Sequence, residues 1–196
     1  MARTPLLSRL RQLFAAYDTI PSSRAATVLV TAALGCACGT TSAVIPTPSP
    51  AQSPSCAAAQ AAQFDFWVGS WKGTWTDAQG TATATDVVVK NACEIDETFT
   101  AARFLQHTGY SATSKSHYDP GGSRWVQDYS DSVGERSRWL GEFTGGAMTL
   151  IGPQVGSRRQ KISWFDIRPD SWIWEYDSST DGTTWSALVV VSYKRT

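Results

Sequence analysis

The sequence predicts an all-β fold, an antiparallel up-and-down β-barrel of eight to ten strands, and three observations carry that expectation. From Phe64 to Arg195 the chain is a series of short runs in which apolar and polar residues alternate, divided by turn tetrads such as Asp119-Pro120-Gly121-Gly122. No segment there has the length and helical periodicity of a crossover joining parallel strands. All nine tryptophans lie between Trp67 and Trp185, so the apolar mass that offsets the entropy of ordering is concentrated in this part. A string of antiparallel strands must hide its two edges, and closing on itself does so. About eight strands enclose an interior that side chains fill or that holds one small ligand. A two-sheet β-sandwich is the alternative, but it more often needs long Greek-key connections, which this sequence lacks.

The strands follow in order. Trp67, Trp71 and Trp75 share one parity against Lys72, Thr74 and Thr76, which marks a half-buried strand. Asp77-Ala78-Gln79-Gly80 turns the chain into a β-branched, alanine-rich run over residues 81–90. Residues 94–105 put Ile95, Glu97 and Phe99 on one face, and residues 108–118 form the next strand up to the Pro-Gly-Gly turn. Trp125, Gln127 and Tyr129 share a face, and so do Trp139 and Phe143 opposite Arg138 and Glu142. After Gly145-Gly146 comes a short apolar run, 147–151. Residues 160–168 place Ile162 and Trp164 against Phe165 and Ile167. Trp172, Trp174 and Tyr176 alternate next, and 187–195 closes the series after the Ser179-Thr180-Asp181-Gly182 turn. Alternation shows which residues share a face, not which face is inside.

The front of the chain is different. Ala25 to Leu34 is an uncharged run preceded by Arg24, too short for the ~20 residues of a membrane span and suited to a signal-peptide core. The basic segment before it is long. It reads either as a start placed too far upstream or as a short amphipathic helix built on Leu6, Leu7, Leu10, Leu13, Phe14 and Tyr17. Ala33-Leu34-Gly35-Cys36 resembles a bacterial lipobox, with Ala33 where a Leu is usual, and implies lipidation of Cys36; Cys38 fits more loosely, and ordinary signal-peptidase cleavage is the alternative. Neither Cys36 nor Cys38 is followed by Asp, which resembles the outer-membrane sorting pattern. The expected organisation is a signal peptide over 1–36, a Pro/Ser/Ala-rich linker over 37–63 and a barrel domain over 64–196. The expected place is the cell envelope, as an outer-membrane lipoprotein facing the periplasm, or a secreted or soluble periplasmic protein. Cys56 and Cys93 then remain as an even pair in an exported chain, most simply a disulfide.

Bases and acids balance at 17 each, which argues against nucleic acid as a partner. Four bases and one acid precede Cys36, so the remainder carries a formal charge of −3. His107 and His117 stand at opposite ends of one expected strand, too far apart to share a metal, so no metal and no cofactor is expected. No Gly-x-Ser-x-Gly elbow is present. Glu97, between Ile95 and Phe99, is a candidate interior acid whose pKa burial would raise. Tyr118, Trp125, Gln127, Trp139 and Trp164 are, with Glu97, the candidate ligand-binding residues, because an apolar aromatic cavity with few polar anchors is the usual small-molecule site. The same residues could instead be a filled core.

Phe64-Asp65-Phe66-Trp67-Val68-Gly69-Ser70-Trp71 resembles the opening of a bacterial family of lipocalin-like, calycin-type domains of unknown function. The resemblance continues through Cys93 with Glu94 and Glu97, Tyr118-Asp119, Trp125-Val126-Gln127 with Asp131, and Gly145-Gly146 with Met148. It ends on Lys161 before Ser163-Trp164, Ser179 with Asp181-Gly182 before Trp185, and Tyr193-Lys194-Arg195. Asp128-Tyr129 and Thr183 depart from the pattern, which blurs any pocket carried over. The family resemblance implies a calycin barrel in which Gly69, Trp71 and Arg195 are structural, the arginine of the last strand covering the tryptophan of the first. Haem-binding relatives use a His on a late strand, and none follows His117. The expected function is binding of a small apolar or amphipathic molecule by a lipid-anchored barrel. The alternatives are an enzyme acting on a lipophilic substrate with Glu97 as acid/base, and a structural or interaction module.

Overall fold

The computed structural model describes Cys56 and residues 58–196. The expected signal peptide, its lipidation site Cys36 and most of the linker lie outside the described residues. Two short 3-10 turns, Ala59–Ala62 and Asp65–Trp67, lead into ten strands. These are β1 (Gly69–Asp77), β2 (Gly80–Asn91), β3 (Glu94–Phe104), β4 (His107–Asp119), β5 (Arg124–Asp131), β6 (Arg136–Thr144), β7 (Ala147–Ile151), β8 (Arg159–Arg168), β9 (Ser171–Ser179) and β10 (Ser186–Arg195).

Each strand pairs antiparallel with the next in sequence, and β10 pairs back onto β1, closing the barrel. The sandwich alternative is thereby excluded. Closure runs through Trp71 opposite Arg195, Lys72 opposite Lys194, Gly73 opposite Tyr193 and Thr74 opposite Ser192. A ten-stranded up-and-down barrel fits a lipocalin-like architecture. Two irregularities bend the wall, one between Ala187 and Val189 and one between Phe165 and Arg168, where Asp166 takes a positive φ of 50°.

Alternation resolves into inside and outside. Trp71 and Trp75, Ala84 and Val88, Ile95 and Phe99, Trp125, Trp139, Ile162 and Trp164 are all buried inward. One end of the barrel is closed by the segment that precedes β1. Phe64 is fully buried there, with ring centroids 4.8 Å from Trp67, 5.2 Å from Trp125 and 4.9 Å from Trp164. Edge-to-face and stacked geometries of this kind add to the apolar area they bury. The Trp71 indole donates to the Trp67 carbonyl at 2.7 Å, which locks the turn onto the strand it introduces.

At the same end Arg195 lies over Trp71, its Cζ 4.1 Å from the ring centroid, and donates to the carbonyls of Val68 and Pro169 at 3.2 and 3.1 Å. Gly69 has φ +142°, and a Cβ there would stand 2.2 Å from Arg195 Nη1. Only glycine admits both that backbone and the guanidinium. A disulfide joins Cys56 to Cys93, which sits in the β2–β3 turn, and so ties the segment before the plug to the barrel. The last residues of the expected linker belong to this closure, with Ala61 buried.

Phe64→Ala would empty the centre of this aromatic cluster. It is expected to lower the unfolding free energy by about 3–5 kcal/mol, measured by urea denaturation. Phe66→Ala, at a half-buried neighbour, is expected to cost clearly less.

Candidate functional site

A polar row crosses the inner wall. Strand register sets Glu97 of β3 opposite Ser114 of β4, Ser114 opposite Tyr129 of β5, and Tyr129 opposite Ser137 of β6. One layer away, Ser116 is opposite Gln127, which is opposite Trp139. On β2, Asp86 is the diagonal neighbour of Glu97, because Val88 is opposite Glu97 and Asp86 is opposite Phe99. Period-2 alternation on adjacent strands therefore aims two carboxyls into the same interior.

Buried polar groups need partners, and most of these have one. Ser114 Oγ donates to Glu97 Oε2 at 2.5 Å, and Gln127 Nε2 donates to Ser116 Oγ at 3.1 Å. The Trp67 indole, from the plug, donates to Asp86 Oδ2 at 3.2 Å. Asp86 is only 1% exposed, and its Oδ1 has no hydrogen-bond partner. Further from the plug the Tyr110 and Tyr129 hydroxyls bond each other, and Tyr110 donates to Asp131 Oδ2 at 2.8 Å. Asp131 in turn accepts the backbone N–H groups of Val133 and Glu135 at 3.1 and 2.9 Å.

Burial sets the electrostatics. Glu97 is pushed up to about 7 by desolvation, opposed by the Ser114 hydroxyl bond. Asp86 is raised well above the usual carboxylate range by desolvation and then by the nearby Glu97 charge, against the indole bond from Trp67. Desolvation and the two carboxyls also raise the Tyr193 phenol. Two acids this close inside the barrel do not ionise independently.

The side chains around this row divide the interior. Trp125, Trp164 and Tyr118 belong to the closed end: Trp125 and Trp164 pack on Phe64, and Tyr118 meets Trp125 edge-on at 6.1 Å. The Trp125 indole donates to Gln63 Oε1 at 3.2 Å. Glu97, Gln127 and Trp139 lie in the wall above, with the Trp139 indole donating to Ser137 Oγ at 3.0 Å and its ring 6.3 Å from Tyr176. Glu97, Tyr129, Ser137, Trp174 and Tyr176 face inward yet stay only half-buried, so solvent reaches that part of the interior. An open depression of about 540 Å³ lies at the β5–β6 rim, lined by Asp128, Tyr129, Ser130, Arg136, Ser137 and Arg138. Two of its charges are paired, Arg138 holding Asp128 with two bonds of 2.6 and 2.8 Å. The buried acids, not this rim, carry the distinctive chemistry.

Interior polar residues that escape the sequence reading include Asp86, Ser114, Ser116 and Ser137. Asp86 shares the parity of Ala84 and Val88, which is the signal that could have found it. Its apolar context instead reads as a strand with one solvent-facing acid. Among the described residues no group of His, Cys, Asp and Glu is arranged to hold a metal ion.

No protein-family model matches the chain, and neither does any curated protein. Among solved structures it is similar to the crystal structure of Rv2717c from M. tuberculosis. The two are 14% identical, with 70% of this chain and 98% of that chain covered and a TM-score of 0.47.

The raised Glu97 has a consequence for stability. Between its ordinary value of 4.5 and about 7, the folded state binds a proton that the unfolded state has released. Stability should therefore fall as pH rises through that window, by on the order of 2–3 kcal/mol, with Asp86 acting in the same direction. Glu97→Gln should flatten the dependence and be the more stable protein at about pH 8, as read by urea denaturation across pH.

Proposed function

We propose that this chain is a lipid-anchored cell-envelope barrel that binds one small hydrophobic or amphipathic molecule inside the barrel. The observation that carries the reading is the half-buried state of inward-facing Glu97, Tyr129, Ser137, Trp174 and Tyr176, above a floor sealed by Phe64 and Trp67. A barrel interior with a plugged end, aromatic walls and few polar anchors suits a molecule with an apolar body and a single polar group. In this reading Glu97 and Gln127 meet the polar group and Trp139 the apolar body. Tyr118, Trp125 and Trp164 form the floor beneath it. The anchor rests on Cys36 and on the Pro/Ser/Thr-rich tether that follows it. Among the described residues no helix is long and apolar enough to cross a membrane, and the envelope location likewise rests on the leader.

One observation favours a second reading. Glu97, held near 7 beside a second buried carboxyl, meets the pKa requirement for general acid/base work on a lipophilic substrate. Turnover unaffected by Glu97→Gln would remove that reading.

Native mass spectrometry of the purified protein tests the binding proposal. A one-to-one adduct with a co-purifying or added apolar molecule is expected, and its release should accompany a change in tryptophan fluorescence. Trp139→Ala should weaken the adduct by about tenfold, as loss of a large aromatic contact does. A protein that takes up no ligand under any condition would refute it.

A further inference from the structure

The inward-facing charges are of one sign where the interior is deep. Asp86 and Glu97 stand near the plug, and Asp131 lies further out under the Tyr110–Tyr129 pair. Among the described residues three bases occupy inward positions, all at strand ends and all engaged. Lys90 holds Asp65 and the Ala61 carbonyl, Arg195 covers Trp71 and binds two carbonyls, and Arg103 pairs with Asp77 at the opposite end. The groups that reach the two acids from neighbouring elements are neutral: the Trp67 indole, the Ser114 hydroxyl from β4, Tyr129 from β5 and Tyr193 from β10.

A second observation points to a missing donor. Asp86 is 1% exposed, and its Oδ1 accepts nothing, although its other oxygen is bonded to Trp67. A buried acceptor left unmade is costly, and a buried carboxylate is held only by a paired charge or several donors. Glu97, its neighbour, takes one hydroxyl bond and is only half-buried. A group with several N–H donors and a positive charge would satisfy both acids. A carboxylate or phosphate head would meet like charges in a low-dielectric site instead.

We infer that the polar group of the ligand is a cation, an ammonium-type head seated between Asp86 and Glu97, with the apolar tail running along Trp174, Tyr176 and Trp139 toward the half-buried Tyr129 and Ser137 at the β5–β6 rim. This rests on the interior-binding reading above and narrows it to lipophilic amines. The aromatic faces lining the path also favour a cation as it enters.

The test uses the full chain and three probes of one tail length, n-decylammonium, n-decanol and decanoate, below their micelle-forming concentrations, by titration calorimetry and native mass spectrometry at about pH 8. Decylammonium should bind one-to-one, about tenfold or more tighter than decanol, with decanoate weakest. Glu97→Gln and Asp86→Asn should each remove most of the preference for decylammonium over decanol. Amine affinity should rise between about pH 6 and pH 8 as Glu97, held near 7, ionises, while decanol stays flat. Near-UV circular dichroism checks the fold of each variant, and the wild-type ranking decides the matter if one of them does not fold. Decanol or decanoate binding as tightly as the amine would overturn the cation proposal and leave interior binding standing. Amine uptake at many sites, abolished by salt and indifferent to both variants, would also overturn it. Failure of all three probes to bind would overturn both readings.

Discussion

The β1–β10 ladder is the constraint on which the rest depends. Without it, the chain is an open ten-stranded sheet with two unpaired edges, and every inward side chain faces solvent on one side. With it, alternation along each strand becomes an inside and an outside. The ladder is guarded at one end by Arg195, which is opposite Trp71 in register, lies over its ring and bonds the carbonyls of Val68 and Pro169. One side chain thus joins the first strand, the last strand and the β8–β9 turn. The bare Gly69 beside it leaves the space this requires.

Closure of the barrel wall and closure of its end are separate devices that share a short sequence. The segment from Phe64 to Trp71 does both. Phe64 and Trp67 fill the end, and Trp71 begins the wall and hydrogen-bonds back to the Trp67 carbonyl. The disulfide from Cys56 to Cys93 restrains the chain just upstream of the plug. Cross-linking over a sequence separation of 37 removes unfolded-state freedom, on the order of 4 kcal/mol in the chain-entropy picture. The plug is therefore held from both sides.

The interior is not optimised for stability alone. A Val or Leu in place of Asp86 would pack among Trp67, Trp71 and Phe99 without the desolvation that a carboxyl suffers there. Instead the barrel keeps Asp86 against its aromatic floor, with Glu97 diagonally beside it on the next strand. Sites that break the rules of core packing in this way are where function is expected. The Tyr110–Tyr129–Asp131 group differs, because its hydroxyl and carboxylate bonds are completed by backbone donors of the β5–β6 turn. That cluster organises the turn; the Asp86–Glu97 pair is left open.

The sequence alone determined the strand order and the antiparallel class. It also placed the disulfide pair. Those features are local, because period-2 alternation, turn tetrads and cysteine parity are properties of neighbouring residues. It also picked out Glu97, which sits between two apolar residues of its own parity. It could not choose between a packed and an accessible interior at Trp139, Trp164 or Trp125. That depends on which strands curve together and on where the plug lands, and only the tertiary structure put Trp125 and Trp164 against Phe64 and left Glu97 above them. Asp86 shows the limit most plainly: within its own strand it reads as a single acid among valines. It becomes the buried half of an inward-facing pair only because barrel closure turns that face inward and strand register sets β3 diagonally beside it.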